Sequence, residues 1–112
     1  MRTSLGRLAL ARSGDKGAHA NIGVWVRDDA AYRFLCEALD VVTVASFFAV
    51  EPSSVDRYEL PALRACNFVL RGVLGAGGGA ASLRTDAQAK AYGQALLRLE
   101  LDIPDALLGG AP

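Results

Sequence analysis

Arg12-Ser13-Gly14-Asp15-Lys16-Gly17-Ala18-His19-Ala20-Asn21-Ile22-Gly23-Val24 is a polar, glycine-punctuated stretch set between two apolar runs. Ahead of it, Leu8-Ala9-Leu10-Ala11 is short and apolar; behind it, Ile22-Gly23-Val24-Trp25-Val26 alternates with period two. Both flanks read as strands, near Arg7 to Ala11 and Asn21 to Arg27, so the polar stretch is a strand connection. Gly14 and Gly17 flank Asp15-Lys16, which lets the backbone take positive φ, turn sharply and present two opposite charges at its tip. Such a tip binds a ligand or exchanges a proton, or else it is a tight turn with a solvated ion pair; the residues alone leave both readings open. On the second strand, alternation puts Asn21, Gly23, Trp25 and Arg27 on one face and Ile22, Val24 and Val26 on the other. Trp25 is thereby either an interface anchor or part of a second core.

Further along, Asp28 and Asp29 precede a run in which Ala31, Phe34, Leu35, Ala38 and Leu39 keep helical spacing, and an aspartate at that place is an N-cap signal. The expected helix spans Asp29 to Leu39. Asp40 to Phe48 has the β-branched content of a strand, but Thr43 as a cap ahead of Val44-Ala45-Ser46-Phe47-Phe48 favours a short helix. Pro52-Ser53-Ser54 breaks it, and Val55 to Leu60 alternates as a strand with one wetter face. Pro61 suits the first turn of a helix to Leu74, since Leu63, Cys66, Asn67, Leu70, Val73 and Leu74 recur at three- and four-residue intervals. Asn67 is the polar member of that stripe, and a carboxamide there needs hydrogen-bond partners, from a neighbouring loop or from a ligand.

Gly75-Ala76-Gly77-Gly78-Gly79 then closes the helix with amides able to cradle an anion. The spacing fits neither a dinucleotide fingerprint nor a P-loop. Ala80 to Arg84 reads as a short strand with Ser82 and Arg84 on one face. Thr85 and Gln88 form a capping-box pattern for a helix from Asp86 to about Leu99, whose Ala87, Ala89, Ala91, Gly93 and Ala95 allow close approach to a neighbour. From about Asp102 the tail, with Pro104 and Gly109-Gly110, is expected to be loosely ordered.

A chain of 112 residues is one domain by size, residues 1–112, and buries about 65% of its extended surface on folding. Twelve basic and twelve acidic residues cancel, so no charge excess draws it to nucleic acid or an anionic membrane. Cys36 and Cys66 lie in apolar segments without CxxC spacing and read as reduced core residues. The longest apolar stretch, Val41 to Val50, is far short of the roughly 18 residues needed to span a bilayer. A soluble, cytoplasmic protein is expected. No cofactor motif and no metal-ligand cluster is evident.

In order along the chain, Arg12 to Gly17, Ala20 to Val24, Arg57 to Leu63 with Asn67 to Leu70, Gly75 to Gly79, Ser82 to Arg84 and Asp86 to Lys90 resemble the AtuA-like ferredoxin-fold domain. The likeness spans roughly Leu8 to Leu99. In larger family members this domain is the C-terminal part of a chain associated with acyclic terpene utilisation, a pathway that works on acyl-CoA thioesters. The resemblance implies an α+β, ferredoxin-like fold, with a four-stranded, mainly antiparallel sheet and helices on one face. It also implies a larger AtuA-type protein as partner. A sheet covered on one face leaves the other for an oligomer or a partner, which points to a homo-oligomer, most simply a dimer.

Two function classes follow. One is an accessory subunit or assembly module that docks on a larger AtuA-type chain. The other is a small-molecule enzyme or binder for a carboxylate or CoA-type ligand. In it Asp15 and Lys16 are the catalytic candidates, and Arg12, Ser13, Gly14, Gly17, Asn21, Asn67, Gly77, Gly78, Ser82 and Arg84 form the ligand site. Against catalysis stand a single histidine, His19, and the lack of a nucleophile-base pair recognisable by spacing.

Overall fold

The structure is a computed structural model that describes residues 1–73 and 91–108. Strand β1 (Arg2–Ser4) and a short 3-10 turn lead into β2 (Leu10–Lys16) and β3 (His19–Trp25). The antiparallel ladder of this hairpin runs from Leu10 opposite Trp25 to Lys16 opposite His19. Most of the stretch expected to be a loop is therefore strand. Only Gly17 and Ala18 turn, with Gly17 at φ 63°, the conformation that the first central position of a type II′ hairpin demands. Polar side chains did not exclude a strand here, because half of them lie on a face without a core.

Helix α1 (Asp29–Ala38) begins at Asp28, whose side chain accepts from the Ala31 N–H at 2.8 Å. Helix α2 (Val41–Phe48) follows at once. Its cap is Asp40 rather than Thr43, accepting from the Thr43 N–H at 2.7 Å, and it stops at Ala49 in the left-handed region. Strand β4 (Val55–Leu60) coincides with the expected one.

Pro61 to Leu74 is a correction. A single 3-10 turn, Pro61–Leu63, and Arg64 at φ 50° connect β4 to a strand, β5 (Ala65–Leu70). Cys66 and Leu70, which suggested a helix, also satisfy period two, with Phe68 between them on the same buried face, and a short central run fits both periods.

β5 lies between β3 and β4, giving the order β2-β3-β5-β4 with every neighbouring pair antiparallel. β3 and β4 are thus parallel to each other, joined through α1 and α2 with β5 inserted between them, a split β-α-β unit. The fold is the expected α+β one, with a four-stranded antiparallel sheet and helices. The core gathers on one sheet face: Ile22, Val24, Cys66, Phe68 and Leu70 meet Leu35 and Leu39 of α1 and Val44 of α2, all fully buried. Burying each of the larger of these side chains stabilises the fold by about 1.5–3 kcal/mol.

A helical segment, α3 (residues 91–96), packs against β2 on the same side, its Gly93 N–H donating to Ser13 Oγ at 2.8 Å. The tail expected to be loose from about Asp102 instead joins the body. β6 (Glu100–Asp102) pairs antiparallel with β1, Ile103 is fully buried, and a last helical turn, α4, covers Asp105–Leu108. The expected strand Ala80 to Arg84 and the run Gly75 to Gly79 lie outside the described residues.

Candidate functional site

Strand register sets the rows of the sheet face opposite the core. One row is Leu10, Trp25, Ala65 and Leu60; the next is Arg12, Gly23, Asn67 and Tyr58; the third is Gly14, Asn21, Val69 and Asp56. Apart from Ala65, these residues are half-buried or exposed. In the middle of the face is a hollow of about 400 Å³ lined by Arg12, Ser13, Gly14, Asn21, Gly23, Trp25 and Asn67.

Two glycines create it. Neither Gly14 nor Gly23 has positive φ, so the backbone does not require glycine at either place. Among the described residues, a Cβ on Gly14 would meet nothing within 4 Å, and one on Gly23 would meet Asn67 Oδ1 at 3.7 Å and Arg12 O at 3.8 Å, ordinary contact distances. Glycine inside a strand weakens it, and commonly marks close approach of a ligand or another backbone.

Four of the candidate ligand residues thus come together: Arg12, Gly14, Asn21 and Asn67. Ser13 completes the wall, but its hydroxyl is engaged by Gly93, which makes it a link between β2 and α3. Gly17 makes the hairpin turn. Asp15 and Lys16 do not converge, because adjacent strand residues leave on opposite faces. Lys16 shares the face of the hollow, whereas Asp15 sits opposite Ala20 on the core side, exposed and in no ion pair with a described residue. Gly77, Gly78, Ser82 and Arg84 lie outside the described residues.

Charge on this face is one-sided. Asp56 is taken up by Arg71, Oδ2 to Nε at 3.1 Å, while Arg12 and Lys16 have no ion-pair partner among the described residues. Asn21 Oδ1 is sheltered from solvent and has no hydrogen-bond donor among them. Beyond the hollow, His19 Nδ1 accepts from the Gly72 N–H at 2.8 Å and ties the hairpin to the chain after β5.

Sequence reasoning missed Gly23, Trp25 and Tyr58 as neighbours of Asn67. The alternation Asn21, Gly23, Trp25 was the available signal, but with β5 read as a helix no strand carried Asn67 beside it.

The core side holds a second polar cluster, which is structural. Arg57 donates from Nε to Leu39 O at 3.0 Å and from Nη2 to Cys36 O at 2.8 Å, and its Nη1 pairs with Glu59 at 2.8 Å. A guanidinium there complements the C-terminal dipole of α1. Burial pushes the Cys66 thiol up to about 12 and the Tyr32 phenol well above its ordinary range, so neither ionises readily at neutral pH and Cys66 is no activated nucleophile. Among the described residues no cluster of histidine, cysteine and carboxylates could hold a metal ion, and no helix is long and apolar enough to cross a membrane.

The family model for the AtuA ferredoxin-like domain matches residues 3–102. The chain belongs to that family. In this AtuA ferredoxin-like domain the matched span runs from β1 into β6 and takes in the four-stranded sheet and its hollow. Neither the curated proteins nor the solved structures yielded a match.

Proposed function

We propose that this AtuA ferredoxin-like domain is a cytoplasmic accessory module that docks, through the sheet face opposite its helices, onto a larger AtuA-type chain working on acyl-CoA thioesters. One observation carries the reading: large apolar side chains are left outside on that face. Leu10 is 61% exposed, Tyr58 51% and Leu60 40%, with Leu63 at 68% on the adjoining β4–β5 connection. Trp25 stands in the same row as Leu10 and Leu60. Antiparallel sheets that face water usually alternate to polar residues on the wet side, and a cluster of apolar groups there marks an interaction surface. The alternative reading as an enzyme draws no support from Asp15 and Lys16, which the hairpin sends to opposite faces.

Co-purification with a larger AtuA-type chain tests the proposal. The wild-type domain should co-elute with it, and Leu10→Asp and Trp25→Glu should each abolish co-elution with little change in melting temperature. A complex that survives both substitutions, or the failure of the wild-type domain to form one, overturns it.

A further inference from the structure

Gly23 lies at the centre of the uncovered face and forms the floor of the hollow. Across the sheet its register partners are Arg12 on one side and Asn67 on the other. Strands lie about 4.8 Å apart, so these two backbone positions are about 9–10 Å from each other, and Gly23 puts no side chain of its own between them. Along β3, the same-face neighbours two residues away are Asn21 and Trp25. The vacant place above Gly23 is thus bounded by a guanidinium, two carboxamides and an indole.

We propose that this place binds a small hydroxycarboxylate, with Arg12 holding the carboxylate, Asn21 and Asn67 the hydroxyl, and Trp25 covering the carbon skeleton. The hollow lies within the proposed docking face and shares Trp25 with it, but the inference does not depend on that docking. Three observations point the same way. The glycines keep open a volume that neither φ nor packing among the described residues requires to be empty. Arg12 has no carboxylate partner among the described residues, and a guanidinium matches a carboxylate with two parallel N–H donors. Asn21 Oδ1 lacks a donor among them and is closed to solvent; an acceptor left so costs about 1–3 kcal/mol, which turning the carboxamide into the hollow onto a ligand O–H recovers.

A phosphate fits less well. The backbone groups beneath the hollow are spent in the β2-β3-β5 ladders, so they form no nest of free amides of the sort that holds phosphate. Carboxamides, which both donate and accept, suit a hydroxyl.

Trp25 is the one tryptophan of the chain, so its fluorescence reads the hollow directly. The probes are 3-hydroxybutyrate, butyrate and inorganic phosphate, titrated into the full chain, with the rise in melting temperature as a second readout. Saturable binding of 3-hydroxybutyrate is expected, with butyrate and phosphate weaker by about tenfold or more, a difference of about 1.4 kcal/mol. Gly23→Val should fill the floor and abolish the response, and Arg12→Gln should weaken it by about tenfold or more. If Gly23→Val fails to fold, Gly14→Val narrows the same hollow from β2 and serves in its place. Absence of saturable binding, phosphate or butyrate binding as tightly as the hydroxy acid, or an unchanged response in the folded valine variant overturns the proposal.

Discussion

Alanine at Gly14 or Gly23 should stabilise this protein, whereas alanine at Gly17 or Gly93 should destabilise it. At Gly14 and Gly23 the strand conformation suits any L-residue and, among the described residues, the added methyl meets nothing closer than 3.7 Å. Reducing the freedom of the unfolded chain at such sites is worth about 0.4–1 kcal/mol. With 112 residues, the entropy of unfolding at the midpoint is about 0.24 kcal/mol/K, so each kcal/mol moves the melting temperature by about 4 °C. Each variant should therefore melt about 2–4 °C higher. Gly17 has φ 63°, where a Cβ costs about 1–2 kcal/mol and outweighs the same gain. At Gly93 a Cβ would come within 3.0 Å of Ser13 Oγ and 3.3 Å of the Arg12 carbonyl carbon. Helix α3 would have to move off β2, an overpacking cost of about 1–3 kcal/mol. Thermal melts of the four variants by circular dichroism, at equal concentration, give the comparison. A fall in melting temperature at Gly14→Ala and Gly23→Ala as large as that at Gly93→Ala would mean that the fold itself needs those glycines, and the case for a hollow kept open for binding would collapse.

Arg57→Ala removes the guanidinium from two carbonyls at the end of α1 and from Glu59; urea denaturation should show a loss of about 2–4 kcal/mol, with Arg57→Lys recovering only part of it. The Asp40 carboxyl is held below its ordinary pKa, first by the Thr43 N–H that it caps. Its folded value is thus depressed, so its contribution is complete above the unfolded pKa of about 3.9 and is lost as pH falls through the folded one. Asp40→Ser, which caps without titrating, should flatten part of the acid limb of a stability-against-pH curve and change nothing in the shape between pH values of about 5 and 8. If the apolar row is an interaction surface, it should pair two copies of the isolated chain, so light scattering is expected to give a dimer mass at micromolar concentration and a monomer mass for Trp25→Glu. Cys66, buried and with its thiol raised to about 12, should resist iodoacetamide at neutral pH until the protein is unfolded.

Where one signal dominated, the sequence was legible. Asp28 ahead of an amphipathic run announces α1, and the alternation of Val55 to Leu60 announces β4. β5 was hidden because Cys66 and Leu70, on the buried face of a central strand, also meet helical spacing. That one misreading moved Asn67 from the sheet to a helix and concealed its place beside Gly23. Arg12, Gly14 and Asn21 were recognisable as candidates from their glycine-punctuated setting. Their meeting in one hollow was not, because register across strands decides which side chains share a face, and a one-residue shift reverses it. The same rule separated Asp15 from Lys16. β1 and β6 escaped notice because three-residue strands carry too short a pattern to read.

Site-specific photocrosslinking tests most directly whether the uncovered sheet face docks the larger chain. p-Benzoylphenylalanine is placed in turn at Tyr58, on that face, and at Arg33, on the exposed side of α1, and each labelled domain is irradiated with a larger AtuA-type chain. Crosslinks from the Tyr58 position and none from the Arg33 position are the expected result. Crosslinks from the Arg33 position alone would contradict the account.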